Sequence, residues 1–177
     1  MGVTGFFILL LMLFVKVRLS MSAPNQRICD NRVLAKYIRE ANEEEKTLES
    51  CNVQCEFPED ITVPETKLNQ AEWSKLHTPK KASEVWNGLT LLTEAVPKIL
   101  GGILDSKLKQ TVERSAVNMR NLITILKNHD LQTETQVPES DVKTVTIRNL
   151  KRFFSVYINF LRGKYKLLLN EVCKQYM

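Results

Sequence analysis

Four stretches of the chain repeat apolar side chains every three or four residues, the spacing of an amphipathic helix. Between about 30 and 48 the stripe is Val33, Leu34, Tyr37, Ile38 and Ala41, and Asp30 is placed to cap the first turn. Between about 82 and 100 it is Val85, Trp86, Leu89, Leu92 and Val96, and between about 107 and 127 it is Leu108, Val112, Met119, Leu122, Ile123 and Leu126. The last stretch covers about 148–173. At 100° per residue it puts Leu150, Phe154, Tyr157, Leu161, Tyr165, Leu168 and Val172 on one side, and Arg148, Arg152, Ser155, Asn159, Arg162 and Lys166 on the other. Trp73 and Trp86 are expected in the core. Pro97 is expected to kink or end the second helix, because proline has no amide donor and crowds the preceding turn.

The connections decide how these helices are arranged. Little more than Gly101-Gly102 separates the second from the third, so those two are antiparallel neighbours. Residues 50–81 and 128–147 are long by comparison and carry Pro58, Pro64, Pro79 and Pro138 among polar turn formers. A long-short-long series lets the first pair of helices run parallel and then the second pair, giving an all-α, up-up-down-down four-helix bundle with two crossover loops. Each loop carries a β-prone patch, Ile61-Thr62-Val63 and Val145-Thr146-Ile147. They are expected to pair across the bundle, with two independent extended loops as the alternative.

The amino terminus reads differently. Phe6 to Val15 is an unbroken apolar run of ten residues followed by Ser20-Met21-Ser22 and Ala23-Pro24. About 20 apolar residues are needed to span a bilayer, so residues 1–22 are expected to be a signal peptide cleaved after Ser22, leaving 23–177 as a single secreted domain. No positive side chain precedes the run, which keeps an uncleaved signal anchor as the alternative. Cleavage removes Lys16 and Arg18 and lowers the formal charge from +5 to +3. A surplus that small, without basic runs and interleaved aromatics, argues against nucleic acid as a partner.

All four cysteines, Cys29, Cys51, Cys55 and Cys173, survive cleavage, and an even number in an exported chain implies two disulfides. Of three possible pairings, the short Cys51–Cys55 loop suits a local bridge, which leaves Cys29 to join Cys173. A metal site at Cys51-x-x-x-Cys55 is the rival, disfavoured because His77 and His129 are isolated. No nucleophile, zinc or phosphate-loop motif is present, and neither enzyme activity nor a cofactor is expected. Glu43-Glu44-Glu45 reads as a solvated turn, and Lys36 and Arg39 as either solubilising or contact residues. The fourth helix offers more. Gly163 costs a helix about 1 kcal/mol relative to alanine, and beside Arg162 it lets another backbone approach an always-charged, fork-shaped donor.

Four strings carry a resemblance: Ile28-Cys29-Asp30-x-Arg32-Val33-Leu34, Ile61-Thr62-Val63-Pro64-x-Thr66-Lys67, Glu84-Val85-Trp86-x-Gly88-Leu89, and Val156-Tyr157-x-Asn159-Phe160-Leu161-Arg162-Gly163-Lys164. Together they resemble the erythropoietin family of long-chain helical cytokines, in register from Cys29 to Cys173. The resemblance implies a secreted, monomeric hormone that binds two copies of the single-pass erythropoietin receptor. Receptor-associated tyrosine kinases would then promote survival, proliferation and differentiation of red-cell precursors. It implies the same disulfide pairing, Cys29–Cys173 and Cys51–Cys55. By position it assigns Thr66, Lys67, Asn159, Arg162, Gly163 and Leu167 to a tighter receptor face, and Val33, Lys36, Tyr37, Arg120, Asn121 and Ile125 to a weaker second face.

The chain departs from that family at several of these surfaces. Lys36 replaces an arginine, Gln70 an aromatic, Ser155 and Asn42 basic contacts, and Val117 a serine. Asp60-Ile61-Thr62 stands where a glycosylation sequon would be, and no Asn-x-Ser/Thr occurs anywhere, so N-glycans are not expected. Another long-chain cytokine, thrombopoietin-like, is the nearest alternative; a secreted carrier of an apolar ligand is a more distant one.

Overall fold

A computed structural model describes residues 28–51, 55–129, 131 and 142–174. The expected signal peptide, 1–22, lies outside the described residues, as does Pro138. The order is α1 (Asn31–Thr47), a 3-10 turn (Leu48–Ser50), β1 (Glu56–Pro64), α2 (Gln70–Lys75), α3 (Thr78–Gly102), α4 (Ser106–Lys127) and β2 (Thr144–Asn149). The fourth long helix follows as α5 (Leu150–Phe160), a π-helical turn (Leu161–Tyr165) and α6 (Lys166–Lys174). No helix among the described residues is long and apolar enough to cross a membrane.

The helix starts obey side-chain capping. The Asp30 carboxylate accepts from the Arg32 amide at 3.0 Å and from its guanidinium, and those Arg32 hydrogen bonds hold Asp30 below the usual carboxylate range. Asn69 caps α2, Asp105 caps α4 and Asn149 caps α5. The second long helix begins earlier than its apolar stripe suggests. Pro79 sits in its first turn, where a missing amide costs no hydrogen bond, and His77 caps that turn by accepting from the Lys80 amide at 3.2 Å.

Pro97 does not end this helix, which continues to Gly102. Its exposed ring forfeits one hydrogen bond, while the buried neighbours Ala95, Val96 and Ile99 hold the turn against the core. Arg148 is not helical either. It lies in β2, where its guanidinium pairs with Asp60 of β1, so the helix starts only where Asn149 can cap it. The short helix α2, absent from the periodicity reading, buries Trp73 against the bundle. Trp86 is half-buried, packed against the core from its edge.

Cross-bundle contacts give the directions. Thr111, Asn118 and Asn121 along α4 meet Glu44, Glu40 and Tyr37 of α1 in reverse order, so those helices are antiparallel. Cys29 just before α1 is bonded to Cys173 near the end of α6, and Lys81 early in α3 pairs at 2.6 Å with Glu171 of α6. The fourth helix therefore opposes both α1 and α3. With α3 and α4 antiparallel across the three-residue link Ile103–Asp105, α1 and α3 are parallel, as are α4 and the fourth helix. This is the expected up-up-down-down bundle. The two crossover patches pair antiparallel, Ile61 with Ile147, Thr62 with Thr146 and Val63 with Val145, which gives each short strand the partner it needs.

Both disulfides form in the expected pairing, with Cα–Cα separations of 5.6 Å for Cys29–Cys173 and 5.8 Å for Cys51–Cys55. At the end of the bundle closed by Cys29–Cys173, Glu171 accepts from Lys81 and from the Thr78 hydroxyl, both at 2.6 Å. Partial burial raises its pKa, but these donors and the Lys81 charge outweigh it and pull the carboxyl below its ordinary range. Gly88 lies where α3 crosses the fourth helix, and the Phe160 ring occupies the space its side chain would need.

Candidate receptor-binding surfaces

The residues assigned to the tighter face converge from two elements. Beyond Pro64, the Glu65 amide donates to the Lys143 carbonyl at 2.8 Å, continuing the sheet by one rung. Thr66 then follows half-buried and Lys67 exposed, ahead of the Asn69 cap of α2. On the fourth helix Asn159 and Arg162 are exposed, while Gly163 and Leu167 are half-buried. Their spacing of three and four residues keeps them on one side. The main-chain carbonyl of Glu65 accepts from the Lys164 ammonium at 3.0 Å, which joins the crossover to the helix at this level.

Arg162 does not float in solvent. Its Nη2 donates to Asn42 Oδ1 of α1 at 2.9 Å, and the Asn42 amide in turn donates to the Ile38 carbonyl. A groove between α1 and the fourth helix is lined by Ala35, Ile38, Arg39, Asn42, Lys46, Arg162 and Lys166, and four of these side chains are cationic. Glu43, also on this groove, stands 4.0 Å from the Arg39 guanidinium, too weak and exposed a pair to neutralise it.

Gly163 shows what its missing side chain is not for. No heavy atom lies within 4 Å of where a Cβ would stand, so packing inside the protein does not require glycine. It sits in the π-helical turn, a departure from α geometry that often accompanies functional surfaces.

The second group lies on a different pair of helices, α1 and α4. The Tyr37 hydroxyl accepts from the Asn121 amide at 3.2 Å, and Glu40 accepts from Asn118 at 2.9 Å while standing 3.8 Å from the Lys36 ammonium. These contacts fasten the rim of the α1–α4 seam and leave Val33 and Ile125 half-buried along it. Arg120 is exposed, with no ion-pair partner among the described residues. Val117, one turn before it, is 47% exposed, an unusual place for a large apolar side chain. An exposed apolar side chain thus stands one turn before the polar residues of this patch on α4.

Some participants escaped the sequence reading. Glu44 is no free solvated side chain, because it takes the Thr111 hydroxyl and the Arg114 guanidinium of α4, the latter at 3.2 Å. Lys164 is 5% exposed and ties three elements together. Its position seven residues after Tyr157 put it beside the apolar stripe, which was the available signal. Cys51 and Cys55 are spent in a disulfide and His77 in a helix cap; among the described residues no cluster of three His, Cys, Asp or Glu could hold a metal ion.

The comparisons with known proteins agree with this architecture. A family model of erythropoietin/thrombopoietin matches residues 26–176. The chain is 35% identical over 166 residues to erythropoietin of Equus caballus, covering 88% of this chain and 86% of that one. It is 36% identical over 165 residues to erythropoietin of Felis catus, covering 88% and 86%. With erythropoietin of Mus musculus it shares 36% over 163 residues, covering 86% and 85%. With the matched segment spanning the whole bundle from before Cys29 to beyond Cys173, the chain belongs to the erythropoietin/thrombopoietin family.

Proposed function

We propose that this chain is a secreted erythropoietin-like hormone that acts by geometry. Residues 1–22 direct export and are removed; residues 23–177 fold into a monomeric bundle that holds two copies of a single-pass class I cytokine receptor. Thr66, Lys67, Asn159, Arg162, Gly163 and Leu167 engage the first copy tightly. Val33, Lys36, Tyr37, Arg120, Asn121 and Ile125 engage the second more weakly. Bringing the two receptors together activates the tyrosine kinases bound inside the cell and drives survival, proliferation and differentiation of red-cell precursors.

Family membership supports the hormone reading, and one local observation carries the placement of the tighter face. Gly163 stands in a helix with empty space where a side chain would be, although glycine costs about 1 kcal/mol there. A residue kept small without any internal neighbour to demand it suits the close approach of a partner's backbone to Arg162. An arginine already oriented by Asn42 loses less freedom on binding than a free one.

The test is binding of refolded residues 23–177 to a soluble erythropoietin-receptor ectodomain from the same organism, together with proliferation of receptor-bearing cells. Arg162→Ala is expected to weaken binding by about 2 kcal/mol or more, the threshold of an interface hot spot. Arg120→Glu is expected to keep the first binding event and lose proliferation, because only the second receptor meets it. A folded wild type that does not bind sinks the hormone reading and turns the search to a thrombopoietin-type receptor. An Arg120→Glu hormone as potent as wild type sinks the two-face reading.

A further inference from the structure

Lys164 is the next residue after Gly163, yet only 7% of its side chain is exposed. The π-helical turn Leu161–Tyr165 sends Arg162 to solvent and Lys164 inward beside Tyr165. An ammonium removed from water must recover strong acceptors or leave an uncompensated buried charge. Lys164 reaches two, Oε1 of Glu84 on α3 at 2.6 Å and the main-chain carbonyl of Glu65 at 3.0 Å. Glu65 directly precedes Thr66 and Lys67, and its amide is already held by the Lys143 carbonyl at 2.8 Å. Both main-chain polar groups of Glu65 are therefore occupied, one by the second crossover and one by the fourth helix.

We propose that Lys164 is a positioning residue for receptor recognition. It fixes the Thr66-Lys67 segment beside Arg162, so that the crossover and the helix meet the receptor as one pre-assembled surface. The inference rests on the tighter-face reading above and adds to it a buried residue that touches no receptor. Ordering a loop during association consumes binding free energy, whereas a segment ordered beforehand does not. The choice of lysine follows from shape. Its compact ammonium can rotate three donors to meet both acceptors, whereas the five donors of arginine are fixed in the plane of a bulkier group. Glu84 balances the charge and extends the tie from the crossover through the fourth helix to α3.

The experiment is a double-mutant cycle on binding to the same receptor ectodomain, using Lys164→Met, Lys67→Ala and the pair, with Lys36→Ala as a control on the other face. In the wild-type background Lys67→Ala is expected to weaken binding about tenfold. In the Lys164→Met background it is expected to weaken binding about twofold or less, because the segment it belongs to is no longer held. Lys36→Ala should have the same effect in both backgrounds. A purely structural loss would lower the active fraction of every variant alike and leave the Lys67 factor intact.

Where Lys164→Met fails to fold, Lys164→Met combined with Glu84→Met, which leaves no unpaired carboxylate behind, replaces it, and the same loss of coupling is expected. Equal Lys67→Ala factors in the two backgrounds overturn the positioning role and leave the receptor face standing. Silence of both Lys67→Ala and Arg162→Ala in the wild-type background overturns the face and takes the positioning role with it.

Discussion

Replacing Cys29 and Cys173 together by serine is expected to cost about 5 kcal/mol of stability, measured by guanidinium unfolding of residues 23–177. The two cysteines are 144 positions apart and close nearly the whole domain into a ring, joining the start of α1 to the end of α6. The crosslink acts mainly on the unfolded chain, whose conformational freedom it restricts, and the restriction grows with the logarithm of the loop. The Cys51–Cys55 bridge spans a separation of only 4. Its removal should cost about 2 kcal/mol in the same account. A domain of this size has a total stability of about 5–15 kcal/mol, so losing the first bridge threatens folding and losing the second does not. Equal losses from the two double variants would show that loop length is not the governing term.

Gly88→Ala is expected to destabilise the bundle by about 2 kcal/mol, although alanine is the better helix former. An ideal Cβ at this position would lie 2.4 Å from both Cε2 and Cζ of Phe160. The ring is 1% exposed, at the last residue of α5 before the π-helical turn, and cannot swing into solvent. Either α3 and the fourth helix separate or the ring leaves its rotamer, and overpacking of this kind costs about 1–3 kcal/mol or more. Against this stands a gain of about 1 kcal/mol from helix propensity. The cause can be isolated by adding Phe160→Leu, which shortens the offending side chain. Urea unfolding of the double variant should show a loss smaller than the two single losses combined. Gly163→Ala is the contrasting case, because its Cβ would meet nothing within 4 Å. It should leave stability unchanged or raise it by up to about 1 kcal/mol, while weakening binding to the receptor ectodomain. A Gly88→Ala variant as stable as wild type would mean that Phe160 has somewhere to go.

Much of this architecture is local and was legible residue by residue. Helical spacing placed α1 and α4 to within a residue or two, Asp30 marked the first cap, and the long-short-long connections set the parallel and antiparallel pairs. The apolar stripe of the fourth helix, Leu150 to Val172, is buried as its phase required. Local chemistry also limited the disulfides, since a five-residue loop suits a turn and leaves one other pairing. The strings around Thr66-Lys67 and Asn159–Gly163 assign residues to the proposed receptor face by likeness to the family alone.

What tertiary structure decided lies at the margins of those stripes and in pairings far apart along the chain. A stripe gives the direction of a side chain about its own helix axis; it does not say which neighbour will cover its edge. Trp86 is therefore half-exposed where its phase suggested core, and Lys164 is buried where its charge suggested solvent. Glu44 finds Arg114 and Thr111, and Arg162 finds Asn42, across 67 to 120 residues of chain. Pro97 and Arg148 were judged by rules that act within a turn, but the core held the helix past the first and the sheet claimed the second. Periodicity and loop length are properties of neighbouring residues, so the bundle and its direction were determined by the sequence alone; the buried charge of Lys164 and the bond it makes to Glu65 exist only once separate elements have packed, because each of its acceptors belongs to a different part of the fold.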